Sequence, residues 1–87
     1  MTSDELANEI ECAIENTDIP ENGVEICAAR TEELQAYGLY FTLHDEFLTV
    51  SCDGDSETFF VAEENALRDA ALFGKACLEE LGIHAIV

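Results

Sequence analysis

Positive charge is nearly missing from this chain. Arg30, Arg68 and Lys75 are its only bases, set against 20 acidic residues, and the net charge is −17. Such a balance argues against direct binding to DNA or RNA, whose phosphates demand cations. It argues equally against docking on a negatively charged membrane leaflet. Long apolar runs are missing too: no stretch approaches the roughly 18 residues that cross a bilayer. Met1 to Glu11 has neither the basic region nor the apolar run of a signal peptide. The expectation is a soluble, intracellular, cytoplasmic protein. Close cysteine pairs are also absent. Cys12, Cys27, Cys52 and Cys77 are spaced by 15, 25 and 25 residues, whereas zinc and iron–sulfur sites draw on close pairs. An intracellular chain keeps its thiols reduced, so they are expected to be free and mostly packed as small apolar groups.

What is present is an apolar framework. Apolar residues make up 48% of the 87 positions, which separates the chain from disordered acidic tails of low hydrophobicity. The length allows one domain, 1–87, burying only about 60–65% of the surface of its unfolded chain. Helix periodicity predicts a first helix from Ser3 to Asn16, with Leu6, Ile10, Ala13 and Ile14 on one stripe. Thr2 and Glu5 match a capping box. Pro20, Asn22 and Gly23 mark a loop. Strands are predicted at Val24–Ala29, Leu39–His44, Phe47–Cys52 and Glu57–Val61, with tight turns at Asp45-Glu46 and Asp53-Gly54. Residues 30–37 stay open between coil and a short helical turn. A second helix is predicted over Glu63–Leu81, with Gly82 just past its end. Gly74 in its middle implies a close approach by a neighbouring backbone. The tail Ile83–Val87 reads as a short last strand. The fold class is α+β: two helices on one face of a mainly antiparallel sheet of four or five strands, in the order α-β-β-β-β-α(-β).

Charge is distributed unevenly along the chain. Residues 1–67 hold 17 acids and one base, whereas residues 68–87 are nearly balanced. On the first helix Asp4, Glu11 and Glu15 share a stripe, and Glu5 and Glu9 an adjacent one. Carboxylates three or four positions apart have Cβ atoms about 5–6 Å apart. Successive phosphates of a DNA strand rise about 3.4 Å and lie further apart through space. A carboxylate row can therefore occupy lysines and arginines that otherwise hold phosphates. Asp45 and Glu46 in one turn, and Asp53, Asp55 and Glu57 around the other, form a second group. The two turns lie at opposite ends of strand Phe47–Cys52. The expected partner is a basic nucleic-acid-binding protein, contacted first through Asp4, Glu5, Glu9, Glu11 and Glu15.

In this respect the chain resembles the small acidic proteins that imitate nucleic acid, among them phage-encoded anti-CRISPR proteins and inhibitors of restriction or uracil-excision enzymes. The resemblance rests on short length, few bases and carboxylate rows such as Asp4-Glu11-Glu15, and on no sequence motif. It implies an inhibitor that acts in the host cytoplasm on an enzyme such as a CRISPR–Cas effector. A salt-adapted accessory domain of unrelated function is the other reading, because about 1 M salt shortens the Debye length to about 3 Å and removes most of the repulsion. Glutamates outnumber aspartates 14 to 6 and the charge is polarised along the chain, both of which weigh against it.

Other constellations carry less. Asp53-Gly54-Asp55-Ser56-Glu57 resembles part of a calcium loop, but its glycine comes second and strands flank it. His44 neighbours Asp45 and Glu46, yet His84 is 40 residues away and no serine or cysteine has a nucleophile's context. No phosphate-binding glycine pattern occurs. Neither catalysis, nor a cofactor, nor a metal is expected. Tyr37 and Tyr40 are candidate interface anchors or sheet-packing residues. Leu72 is either a lone exposed leucine or part of a homodimer face.

Overall fold

The computed structural model describes residues 1–18 and 22–87; the Pro20 part of the expected loop lies outside them. Among the described residues seven elements follow one another: α1 (Ser3–Glu15), β1 (Val24–Glu25), α2 (Ala29–Gln35), β2 (Leu39–His44), β3 (Phe47–Cys52), β4 (Asp55–Phe60) and α3 (Ala66–Glu80). The strands form one antiparallel sheet in the order β1-β2-β3-β4. The class is α+β, as the sequence predicts, with a third helix added.

Local chemistry explains the element ends. Thr2 caps α1 through the predicted box: Glu5 N–H donates to the Thr2 hydroxyl at 3.1 Å, and Thr2 N–H to the Glu5 carboxylate at 3.2 Å. At the far end of α3, Gly82 takes φ +78°. Its N–H donates to Glu79 O at 3.0 Å and that of Ile83 to Leu78 O at 2.9 Å. This reciprocal pair closes the last turn as a Schellman motif. Asp53 and Gly54 both have positive φ, 49° and 88°, as a two-residue type I′ hairpin requires. The partial calcium-loop pattern is thus a hairpin turn.

Several predicted boundaries move. The first strand ends after Glu25, although Ile26 N–H still donates to Phe41 O at 2.8 Å. Ala28 is then the cap residue before α2, because the Thr31 hydroxyl accepts the Ala28 N–H at 2.8 Å and reaches the Ile26 and Ala28 carbonyls, both at 3.0 Å. Of the predicted strand Val24–Ala29, only Val24 and Glu25 are strand, and the residues after them lead into the helix. β4 begins at Asp55 rather than Glu57, since a two-residue turn pairs Cys52 directly with Asp55. α3 begins at Ala66, so Glu63 and Glu64 lie before the helix and not in its first turn. The tail adds no strand to the sheet. Val87 N–H donates to Met1 O at 2.8 Å and Ser3 N–H to Val87 O at 3.0 Å, so the two chain ends brace each other over buried Ile86.

The core lies between the helices and one side of the sheet. Leu39, Phe41 and Leu43 of β2 and Leu48, Val50 and Cys52 of β3 alternate inward and are buried. Leu6 and Ile10 of α1, Leu34 of α2 and Leu78 of α3 close over them. The first helix's stripe is as predicted, with Ala13 and Ile14 only partly covered. α3 faces the sheet with small residues, Ala70, Ala71 and Gly74, which lets it lie close. What approaches Gly74 is a side chain, not the predicted backbone: a Cβ there would stand 3.0 Å from Leu39 Cδ2 and 3.6 Å from Phe41 Cζ. Cysteine packing is split, with Cys52 and Cys77 buried and Cys12 and Cys27 exposed, all four free.

Alanine at Gly74 gains about 1 kcal/mol of helix propensity, but overpacking a fixed core leucine costs about 1–3 kcal/mol. Gly74→Ala is therefore expected to lower stability by about 1 kcal/mol in a urea titration, and Gly74→Val by more; a stabilised alanine variant would show that Leu39 yields freely.

Candidate functional site

The carboxylates of α1 divide between two sides. Glu5 and Glu9 turn toward α2, where Arg30 waits: its Nη2 lies 3.0 Å from Glu5 Oε2 and its Nη1 3.5 Å from Glu9 Oε1. Glu9 does more than pair. Its Oε2 accepts the backbone N–H of Arg30 at 3.0 Å, so a carboxylate of α1 satisfies one of the free donors at the start of α2. Glu9's side chain is 16% exposed against 49% for Glu5, which places the structural weight on Glu9. The Glu5 carboxyl is held below the usual carboxylate range, first by the Thr2 N–H and then by the Thr2 hydroxyl, against an opposing contribution from desolvation, with Arg30 and the N-terminal ammonium lowering it by lesser amounts.

Asp4 and Glu11 face the other way, into a groove of about 550 Å³ between α1 and the segment that leads into α3. Glu63 and Glu64 line its opposite wall, and Arg68 is the one base among its lining residues. Four carboxylates from two parts of the chain thus meet across one groove. Glu15 is exposed near the end of α1. Helix periodicity puts Glu63 and Glu64 inside the helix and gives no sign that they share a groove with α1. The signal that could have found them is Asn65, a favoured capping residue directly before the apolar Ala66-Leu67.

The meander turns hold the remaining candidates. Asp45 has φ +56° in the β2–β3 turn, with Glu46 beside it, and both are exposed. Asp53 and Asp55 line a separate hollow of about 380 Å³ that includes Tyr40, Ser51 and Ser56. The length of β3 separates the two turns, about 17–20 Å for six residues. Asp55 and Glu57 also sit on β4, the free edge of the sheet. Charges there discourage another strand from pairing with the edge. Candidate acids other than Glu15 therefore occupy four regions: the α1 groove, the Arg30 bridge and each of the two hairpin ends.

Among the described residues, Arg30 makes the only ion pairs, and no group of three His, Cys, Asp or Glu residues could hold a metal ion. Among the described residues no helix is long and apolar enough to cross a membrane. Tyr37 and Tyr40 are both exposed, so neither is a core residue. No family model, curated protein or solved structure matches the chain. Fold and surface define an acidic α+β domain whose carboxylates mostly face solvent.

Two outcomes follow from this geometry. Glu9→Ala is expected to lower stability by about 1–2 kcal/mol, the usual cost of a lost helix cap, whereas Glu11→Ala and Glu15→Ala stay within about 0.5 kcal/mol of the parent; equal losses in urea titrations would contradict the assignment. Burial pushes the Cys52 and Cys77 thiols up, with Asp53 and Asp55 adding at Cys52 and Cys52 itself adding at Cys77. The folded chain then keeps protons that the unfolded chain releases, so stability falls as pH rises above about 8.5. The urea midpoint is expected to drop between about pH 7.5 and pH 9.5 in the parent and by less in a Cys52→Ala/Cys77→Ala variant.

Proposed function

We propose that this protein is an acidic binding protein that imitates nucleic acid and blocks a basic nucleic-acid-binding protein, such as a CRISPR–Cas effector, by occupying its phosphate-binding groove. The observation that carries the reading is the lack of internal counter-charge. With Arg30 spent on Glu5 and Glu9, no other described carboxylate makes an ion pair within the chain. Repulsion among them destabilises a compact state, so their retention asks for an external cation. Asp4 and Glu11, joined by Glu63 and Glu64 in one groove that also holds Arg68, are the first contacts in this reading; Glu15, Asp45, Glu46, Asp53, Asp55 and Glu57 come second.

The division of these groups over several sides suits the proposal. The molecule measures 34 × 23 × 22 Å, a cross-section comparable to that of a nucleic-acid duplex. A groove built for such a duplex touches it on more than one side. Glu5 and Glu9 serve a different purpose in this reading, since they hold α2 in place.

The test is competition. Added to an RNA-guided nuclease bound to target duplex DNA, the protein is expected to displace the DNA, with an apparent affinity that falls steeply as KCl rises. Asp4→Lys/Glu11→Lys should weaken displacement by about tenfold or more, equivalent to about 1.4 kcal/mol. Displacement that ignores both salt and these reversals would overturn the mechanism. A melting curve against KCl separates the salt-adapted reading: a nucleic-acid mimic folds in dilute buffer, whereas a salt-adapted domain needs about 1 M salt to screen its repulsion.

A further inference from the structure

The helices cover one side of the sheet and leave the other open. Register places Phe47 opposite Phe60, Thr49 opposite Thr58 and Tyr40 opposite Ser51 on that open side. The Phe47 and Phe60 rings stand 5.5 Å apart, and the Thr49 and Thr58 hydroxyls 3.1 Å apart. Phe47 is 45% exposed and Tyr40 42%. A solvated sheet face is ordinarily polar, so aromatic rings displayed at both of its ends point to a contact surface.

Charge around this face says what kind of partner fits. None of the three bases is on it, for Arg30 lies on α2 and Arg68 and Lys75 on α3. Acids stand at both ends instead. Asp45 and Glu46 adjoin Phe47 in sequence, and the Tyr40 end opens into the hollow lined by Asp53 and Asp55. A second copy is a poor occupant, because each chain carries −17 and would bring acids toward acids. A cation is the complement. Between the two cationic side chains, guanidinium is planar, stacks on aromatic rings and grips carboxylates through two parallel hydrogen bonds, whereas ammonium is a strongly hydrated point charge.

We propose that the open sheet face is a docking face for an arginine-bearing segment of the basic partner, with Phe47, Phe60 and Tyr40 as stacking platforms and the hairpin-end acids as guanidinium acceptors. The inference rests on the reading of the protein as a binder of basic proteins, and it adds both the chemistry recognised and the surface that recognises it. The segment lies along the face, arginines near each end.

Labelled oligo-arginine and oligo-lysine peptides of equal length test it by fluorescence anisotropy. Guanidinium stacks on rings and gives up its water more readily than ammonium, so several rings should give arginine a preference of about tenfold. In Tyr40→Thr/Phe47→Thr the preference is expected to collapse toward unity, with arginine falling to the affinity of lysine. Both positions are exposed, and the far-ultraviolet circular dichroism and urea midpoint of the variant establish that it is folded; should it fail to fold, Tyr40→Thr alone is expected to reduce the preference. Asp4→Lys/Glu11→Lys should weaken both peptides and leave their ratio unchanged. Equal binding of the two peptides by the parent, or a preference that survives loss of the rings, overturns this inference while leaving the acidic-binder reading intact. Failure of both peptides to bind at low salt removes that reading, and this inference with it. Sedimentation showing a dimer that the Tyr40→Thr/Phe47→Thr variant dissolves would assign the face to self-association and likewise overturn the proposal.

Discussion

Everything in this molecule depends on one apolar layer holding together a body whose surface charges repel. Leu39, Phe41, Leu43, Leu48 and Val50 of the sheet are fully buried beneath Leu6, Ile10, Leu34 and Leu78 of the helices. Each such side chain contributes about 1.5–3 kcal/mol on burial. A like-charge pair one helical turn apart costs only a few tenths of a kcal/mol. Burial therefore wins by a wide margin over local repulsion, even with few internal counter-ions. The small residues of α3 serve that layer, since Gly74 lets Leu39 close against the helix. The paired chain ends serve it too, by covering Ile86.

Much of this layer was legible in the sequence because it follows strict periods. Leu6 and Ile10 recur at helical spacing, and Leu39, Phe41 and Leu43 alternate as a strand must. The hairpin at Asp53-Gly54 was legible because few residue pairs accept positive φ twice. The misread elements lack such signals. The segment from Ile26 to Ala29 has apolar residues at every position and no period, and what ends the strand there is the Thr31 hydroxyl reaching back to Ala28 and Ile26. The start of α3 was misplaced because glutamates suit a helix N-terminus whether they lie inside it or before it. The candidate site was legible as residue types but not as a grouping. Asp4 and Glu11 belong with Glu63 and Glu64, 52 to 60 residues away in sequence, a proximity that only the packing of α1 on α3 creates.

That packing gives the carboxylates of α1 distinct roles. Helical geometry sets Glu5 and Glu9 on the side toward α2, where one arginine meets both and its backbone N–H completes the capping of a helix by a neighbour. An exposed ion pair alone is worth about 0–1 kcal/mol. The hydrogen bond to an otherwise free helix donor makes Glu9 structurally necessary in a way that Glu5 is not. Asp4 and Glu11, one helical face away, are left open to solvent. A short helix thus separates acids that build the fold from acids available to a partner.

The open sheet face supplies a further argument about why the acids are retained. Adaptation to salt acts on solvent-exposed surface in general, so it spreads carboxylates over every face that water reaches. The uncovered side of this sheet is reached by water, yet its paired positions are Phe47 with Phe60, Thr49 with Thr58 and Ser51 with Ser56. Glu25, opposite Thr42 on the short edge strand, is the one carboxylate among the paired positions of that side. Acids crowd the turns at either end of it instead. A face kept aromatic and hydroxyl-bearing within so acidic a molecule is better explained by contact with a partner than by the demands of the solvent. In the proposed reading the two surfaces would act in sequence: the carboxylates would draw a cationic partner from a distance, and the rings would grip it once water had been displaced between them.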